Sequence, residues 1–458
     1  MKFTVQEIAQ AVNGVAVNEE TAIVTSLEFD SRKIKPGGLF VPLAGQRDGH
    51  EFVEMAKANG ATATFWSRDL TEAPSGLAII QVADVLQALQ ILATYYLAVI
   101  NPDVIAITGS NGKTTTKDMT EAVLAKKYQT YKTQGNYNNN IGLPYTVLQM
   151  PEATEKIILE MGMDHAGEIA LLSEIAEPDV AAITMIGEAH IENLGSREGI
   201  AQAKMEIAEN LNEDGLLLIP YNEPLLTPLT RKIMQTVTTF GIEEGVIAGK
   251  ILAEQAHKTI FSINDEIFEI PVLGAYNVTN ALIAYGIGQW FGLSDEEIRQ
   301  GLADFQLTQN RTQWLKAENG ADLLSDVYNA NPTAMALVLD TFAELPQEGA
   351  KKVLLGDMLS LGKDSPAMHA AMAEHINPEK IQEVFLFGPE MQVLAEKLNA
   401  VYPNLALTYI AEDMTQLIQT LQENLQPRDT LLLKASNGMH LNQVVDALKV
   451  SENKKEID

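Results

Sequence analysis

The chain has 458 residues, which at roughly 150 residues per domain allows about three domains that each bury a core. A composition of 46% hydrophobic and 20% charged residues excludes wholesale disorder. With 32 Lys and Arg against 61 Asp and Glu, the formal charge of −29 opposes non-specific attraction to nucleic acid or an anionic membrane, so any anionic substrate must be met by a local basic site.

The absence of cysteine removes disulfides, thiolate metal sites and a cysteine nucleophile, in keeping with a reducing, cytoplasmic compartment. The N-terminal MKFTVQEIAQAV lacks a basic stretch followed by an unbroken apolar run, and the most apolar helix candidate, 83–100, carries Asp84, Gln87 and Gln90. Neither a signal peptide nor a membrane span is expected.

In chain order, residues 1–100 mix short apolar runs with the turn-rich FDSRKIKPGGLFVPLAGQRDGH (29–50) and read as a small α/β domain. The helix over 83–100 should stop at Asn101-Pro102, because a residue before proline is biased away from the helical region. From Asp103, the continuous apolar runs DVIAITG, KIILEMG, DVAAITMIG and GLLLIP have the character of buried parallel strands. The stretch 247–272 alternates apolar and polar residues and reads as antiparallel hairpins at the edge of that central domain. After Asn310-Arg311 the strand–helix rhythm restarts with ADLLSD, KKVLLGD, EVFLFG, LALTYI and DTLLLKAS, with helices near 332–344, 366–376, 390–400, 412–424 and 438–449. Such alternation implies right-handed crossovers and a doubly wound, Rossmann-like sheet. The polar tail SENKKEID is expected to fray. The domains are therefore placed at 1–100, 101–311 and 312–458.

The strongest local signal is VIAITGSNGKTTTKDMTEAVL (104–124), in which a strand runs into Gly109-Ser110-Asn111-Gly112-Lys113-Thr114-Thr115 and then a helix. Glycines let backbone amides face a phosphate, and the helix N-terminus adds partial positive charge. Lys113 suits the β- and γ-phosphates and the Thr114 hydroxyl suits Mg²⁺. The general Walker pattern is not met, since Ile107 occupies its first glycine position. Residues 113–132 carry five lysines against Asp118 and Glu121, a net of +3 in an acidic chain. KIILEMGMDHAG delivers Glu160 to a strand end, where it is either a solvated carboxylate or a ligand for magnesium. His190, after the next strand, is a candidate metal ligand or proton donor, although a lone histidine is more often structural. Lys204 shares a helix face with Ala201, Ala208 and Leu211 and so is a candidate for pointing inward; the ordinary alternative is a surface lysine paired with Glu206 or Glu209.

In this order GSNGKTT, Asn140-Ile141-Gly142-Leu143-Pro144, Glu160, His190, Lys204, GAYNVTNA, Arg311 and DVYNANP resemble the Mur ligases of peptidoglycan synthesis. FDSR, GLFVPLAGQRDGHEFV and LLGDMLSLG extend the likeness over all three domains. The resemblance implies an ATP- and Mg²⁺-dependent amide ligase that adds D-alanyl-D-alanine to UDP-N-acetylmuramoyl-tripeptide through an acyl phosphate. It implies a small first domain for the uridine nucleotide, a central P-loop-type domain for ATP, and a third domain as lid, in a monomer. By the same resemblance, Lys113, Glu160, His190 and Lys204 are catalytic. Gly109 to Thr115, Asn280, Arg311, Asp326, Tyr328, Asn329 and Asn331 surround the nucleotide. Ser31, Arg32, Arg47, Asp48, His50, Asn136, Asn138, Asn139 and Asn140 meet the substrate. Thr114, Glu160, His190 and Lys204, the last carbamylated, serve the metal. DVYNANP and the FDSR domain oppose a ligase for another amino acid, and acceptor-dependent phosphate release separates a ligase from an NTPase switch.

Overall fold

A computed structural model describes residues 1–308 and 311–450, so Asn310 of the expected boundary and the tail SENKKEID lie outside the described residues. Near the N-terminus, strands β1 (Phe3–Thr4) and β3 (Ile23–Val24) pair antiparallel. Between and beside them lies a sheet ordered β2-β7-β6-β5-β4, built from β2 (Val15–Ala16), β4 (Ser26–Glu28), β5 (Gly38–Phe40), β6 (Ala61–Trp66) and β7 (Ala78–Gln81). Only its β2 edge is antiparallel. Alternation along the strands divides the side chains. Phe40, Trp66 and Ile79 pack with Val53 and Ala56 of helix α2 (Val53–Ala58), whereas Leu39, Phe65 and Ile80 join Val5 and Ile8 of α1 (Val5–Ala11) on the other face.

Helix α3 (Val85–Ile100) starts where Asp84 accepts a hydrogen bond from the Gln87 amide at 2.7 Å and stops at a left-handed Asn101 with φ 54°. That cap is compatible with the proline that follows and ends the helix where the sequence places it.

The central sheet runs β16-β15-β14-β13-β12-β11-β8-β10-β9. Its parallel part contains β8 (Asp103–Thr108), β9 (Thr130–Lys132), β10 (Lys156–Glu160), β11 (Val180–Ile183), β12 (Leu216–Pro220) and β13 (Thr236–Ile242), and it continues into the start of β14 (Ile247–Gln255). β14, β15 (Lys258–Ile263) and β16 (Glu266–Ile270) form the antiparallel edge expected from their alternation. β8 sits between β10 and β11, and the chain leaves it first to one side and then to the other. This reversal makes the carboxyl ends of β8, β10 and β11 the crevice where an open α/β sheet receives ligands. Helices α4 (Lys113–Leu124), α5 (Gly142–Gln149), α6 (Glu168–Ala176), α7 (Ile191–Leu194), α8 (Arg197–Met205), α9 (Ala275–Trp290) and α10 (Asp295–Asp304) complete this part of the chain.

Packing ties α3 to both domains. It lies on α5 and α6, the Tyr96 hydroxyl donates to the Met150 carbonyl at 2.9 Å, and the Thr94 hydroxyl donates to the Ile175 carbonyl at 3.2 Å. One continuous apolar cluster joins Leu39 and Phe65 of the first sheet, Leu89 and Tyr96 of α3, and Val147 and Leu172 of the central domain.

The third sheet runs β17-β18-β22-β19-β20-β21, with β17 (Gln313–Lys316) antiparallel to β18 (Asp322–Asp326). The parallel remainder comprises β19 (Lys351–Gly356), β20 (Glu383–Phe387), β21 (Ala406–Ile410) and β22 (Thr430–Lys434). Helix α11 (Pro332–Glu344) crosses from β18 to β19. The helix expected from 438 begins instead at Asn442, because Asn437–Met439 form a 3₁₀ turn closed by His440 at φ 55°. No helix among the described residues is long and apolar enough to cross a membrane.

Candidate active site

The sequence GSNGKTT forms the bend between β8 and α4, and its geometry follows from Gly112. This residue stands immediately before the helix at φ +82°, and an added Cβ would lie 2.5 Å from Asn280 Oδ1. Asn280, on α9, therefore holds the loop from behind; it also accepts from the Thr116 hydroxyl at 3.2 Å and donates to Asn277 at 3.2 Å. No side chain caps the N-terminus of α4, which leaves its first-turn amides available to an anion. Ser110 Oγ accepts from the Gly187 amide at 2.9 Å, and the Thr184 hydroxyl donates to the Asn111 carbonyl, so the end of β11 braces the loop.

Lys113 Nζ donates to the Gly109 carbonyl at 2.8 Å. Burial depresses its affinity for a proton, the nearby Glu160 opposes that, and Arg311 adds to it. Glu160 is buried at the end of β10 rather than solvated: its Oε2 accepts from the Thr114 hydroxyl at 2.8 Å and its Oε1 from Asn138 Nδ2 at 2.9 Å. Lys117, buried on α4, places its Nζ 3.9 Å from the same carboxylate.

Lys204 is only 2% exposed and lines the same cavity as Lys113, Glu160 and His190. Glu206 is engaged elsewhere: it accepts from the Gly167 and Ala170 amides at 2.8 and 3.1 Å and so closes the start of α6. Among the described residues Lys204 has no ion pair. Burial and repulsion from Lys113 push its amine well below the usual lysine range, favouring the neutral form. His190 adopts φ 65° and sets Nδ1 3.0 Å from Asp164 Oδ1. Burial, and then Lys113, lower its proton affinity, while Asp164 acts in the opposite direction.

The cavity, about 470 Å³, is also lined by Asn136, Asn138, Asn139 and Asn140, by Arg311 at the domain boundary, and by Tyr328 and Asn329 from the start of the third domain. A neighbouring cavity shares Asn111, Gly112, Arg311 and Asn329, and adds Thr115, Asn280, Asp326 and Lys434. The Arg311 guanidinium stacks 4.1 Å from the Tyr328 ring centre, and its Nε is buried with no hydrogen-bond partner. A phosphate oxygen would satisfy this orphaned donor. Asp326 accepts from Lys434 Nζ at 2.5 Å and from the Thr312 amide at 3.3 Å, fixing the start of the third domain. Asn331 exchanges amide hydrogen bonds with Asn111 at 3.1 and 3.0 Å.

Among the described residues no group of three or more His, Cys, Asp and Glu side chains could hold a metal ion. Magnesium in nucleotide sites takes one or two carboxylates and fills its remaining positions with water and phosphate oxygens. Glu160 and the Thr114 hydroxyl supply hard oxygen donors at the mouth of an uncapped helix, so ATP with Mg²⁺ fits the residues present.

The five residues expected to meet the uridine nucleotide lie on the first domain and line neither cavity. Arg32 pairs with Asp30 at 2.8 Å, Arg47 pairs with Glu51 at 2.6 Å, and buried Ser31 sits against Met55 Sδ at 3.3 Å. Asp48 bridges His50 at 2.7 Å and Arg68 at 2.5 Å. The sequence reading missed Lys117, Asp164 and Lys434. Lys117 stands one helical turn beyond Lys113, a visible signal, whereas Asp164 meets His190 only because β10 and β11 flank β8.

Three family models match the chain: the Mur ligase middle domain over 107–288, the Mur ligase glutamate ligase domain over 310–437, and the Mur ligase family catalytic domain over 23–96. The UDP-N-acetylmuramoyl-tripeptide–D-alanyl-D-alanine ligase of Bacillus subtilis (strain 168) is 42% identical, over 98% of each chain. The Escherichia coli (strain K12) ligase of the same name is 30% identical, over 98% of this chain and 99% of that one. A crystal structure of MurF from Acinetobacter baumannii superposes with a TM-score of 0.87 at 28% identity, covering 97% of this chain and 98% of the other. A Thermotoga maritima MurF ligase in complex with ADP gives 0.80 at 26% identity, over 93% and 97%.

Proposed function

The chain belongs to the Mur ligase family, and from that membership we infer its activity: it is the ATP-dependent ligase that adds D-alanyl-D-alanine to UDP-N-acetylmuramoyl-tripeptide in peptidoglycan precursor synthesis, releasing ADP and phosphate. A carboxylate is a poor acyl donor because its leaving group is oxide. Transfer of the γ-phosphoryl to the tripeptide carboxylate gives an acyl phosphate. Attack by the dipeptide amine then forms the C–N bond as the C–O bond to phosphate breaks and the amine gives up a proton.

In this reading Lys113 and the first-turn amides of α4 stabilise the moving phosphoryl group. Magnesium, when bound, neutralises charge on the phosphate oxygens; Thr114, Glu160, His190 and Lys204 would hold or orient it. Asn280 buttresses the loop, Arg311 offers its orphaned Nε to a phosphate, and Asp326, Tyr328, Asn329 and Asn331 close over the nucleotide. Asn136, Asn138, Asn139 and Asn140 face the tripeptide end of the substrate, and Ser31, Arg32, Arg47, Asp48 and His50 its uridine end. The partition is 1–100 for the UDP-linked substrate, 101–311 for ATP and 312–458 as the lid, in a cytoplasmic enzyme.

Lys204 is carbamylated in the working enzyme: its neutral amine adds to CO₂, an N–C bond forms, a proton leaves, and an anion stands where a cation would repel magnesium. Burial without an acidic partner supports this role.

The observation that carries the reading is that Glu160, held by the Thr114 hydroxyl, lines a single cavity with Lys113 and Lys204, to which Tyr328 and Asn329 of the third domain also contribute. Phosphate release with ATP, Mg²⁺ and UDP-linked tripeptide, with and without D-alanyl-D-alanine, tests it. Turnover that needs all the substrates is expected, and equal release without the dipeptide would refute it.

A further inference from the structure

Glu188 follows β11 in the central domain, yet its Oε2 accepts hydrogen bonds from the Thr333 amide at 3.2 Å and the Thr333 hydroxyl at 2.7 Å, in the first turn of α11. α11 has 13 residues and carries Pro332 at its start, which has no N–H to offer. Its own cap, Asn331, accepts from the Ala334 amide at 2.9 Å. The two amides that follow Pro332 are thus satisfied by two different domains, one by Asn331 and one by Glu188.

The central domain holds Glu188 in place independently. Arg197 Nε lies 4.0 Å from its Oε1, and Arg197 Nη2 is anchored by the Ile186 carbonyl at 2.9 Å and by Glu223 at 3.3 Å. The Glu188 side chain is only 15% exposed. A carboxylate at a helix N-terminus is favoured by the unpaired amides and the helix dipole.

We propose that Glu188 is a positioning residue for ligation: a preset carboxylate that caps α11 across the domain interface and so seats Asn329 and Asn331 of the third domain on the nucleotide loop. The Asn331–Ala334 bond lies within the third domain and survives its separation, whereas the Glu188–Thr333 contact exists only when the domains meet. Glu188 therefore acts on the docking equilibrium and leaves the fold of each domain alone. An ionised acceptor of two hydrogen bonds is at the stronger end of such contacts, and its loss should shift the docked-to-separated ratio about tenfold.

The proposal rests on the ligase reading only for its turnover arm. Small-angle scattering of the full chain reads docking directly, with and without a non-hydrolysable ATP analogue plus UDP-linked tripeptide. Glu188→Ala should enlarge the radius of gyration and raise about tenfold the analogue concentration needed to compact the molecule. Glu188→Gln, which keeps an acceptor oxygen, should recover part of the loss. Thr333→Ala should have a smaller effect that is not additive with Glu188→Ala. In turnover, KM for the substrates should rise more than kcat falls, a split that general destabilisation would not give.

Wild-type compaction in Glu188→Ala, or fully additive effects of the two substitutions, overturns the proposal. If Glu188→Ala does not fold, Thr333→Ala is read alone, and unchanged compaction there overturns it equally. Weakened docking in a chain that shows no dipeptide-dependent turnover would sustain this role of Glu188 while refuting the ligase reading.

Discussion

Gly112 and Gly167 offer a matched test of what shapes the nucleotide loop. Each is the N-cap residue of its helix, at φ +82° and +87°, and contributes no capping side chain of its own. Alanine at either position carries the left-handed penalty of about 1–2 kcal/mol. At Gly167 nothing lies within 4 Å of the added Cβ, so the penalty ends there. At Gly112 the Cβ would fall 2.5 Å from Asn280 Oδ1, and moving Asn280 sacrifices its contacts with Thr116 and Asn277, each at 3.2 Å. Two neutral hydrogen bonds at about 1 kcal/mol each bring the cost of Gly112→Ala to about 3–4 kcal/mol. For a domain of about 200 residues this lowers the melting midpoint by about 6–16 °C, against about 2–8 °C for Gly167→Ala. Scanning calorimetry measures the midpoints, and titration with ADP measures the loop itself, where only Gly112→Ala should weaken binding at least tenfold. Equal midpoints and equal ADP affinities in the two variants would refute the buttressing role given to Asn280.

Lys113→Ala should abolish ligation, with turnover down by about 10³ or more, while the melting midpoint stays close to wild type; near-normal phosphate release would remove it from the phosphoryl site. Glu160→Gln keeps the shape of the side chain but not its charge, and should raise the Mg²⁺ concentration for half-maximal turnover at least tenfold; an unchanged magnesium titration would return Glu160 to a structural role. In CO₂-free buffer the depressed proton affinity of Lys204 means that the unfolded chain binds the extra proton between the native and the ordinary lysine values, so wild-type stability should rise with pH across that window. Urea unfolding of Lys204→Met should lack this increment, and parallel pH profiles for the two proteins would contradict it. In turnover assays Lys204→Ala should be nearly inactive and recover in part with short carboxylic acids, and ¹³CO₂ should give a carbamate resonance in wild type that is missing from the variant.

The strands around the site were legible because burial on both faces makes them continuous apolar runs, as in DVIAITG and KIILEMG, and because the loop that follows carries its own glycines. α9 and β13 were not singled out: the Asn277 and Asn280 that mark α9 stand among apolar residues on nearly every side, and TVTTFGI mixes polar and apolar residues without a clear period. β17 carries no readable signal because a four-residue antiparallel edge strand leaves little pattern. Within the site, Glu160 and Lys204 were identifiable as candidates, but their burial was not, since it depends on which strands and helices surround them. The Asp164–His190 and Glu188–Thr333 contacts join residues 26 and 145 positions apart and are invisible without the strand order and the docking of the third domain.

The shared packing of α3 has a consequence for building hybrids of related ligases. A graft that exchanges residues 1–100 at the Asn101-Pro102 seam carries α3 with the donor and sets its Thr94 and Tyr96 against the host's residues at the ends of α6 and α5. A cut before Asp84 moves the mismatch to the face that meets the first sheet. Either hybrid inherits a seam through a continuous apolar cluster, so a functional chimera requires matched residues on one whole side of that helix. The first domain is therefore less freely transplantable than its separate sheet suggests.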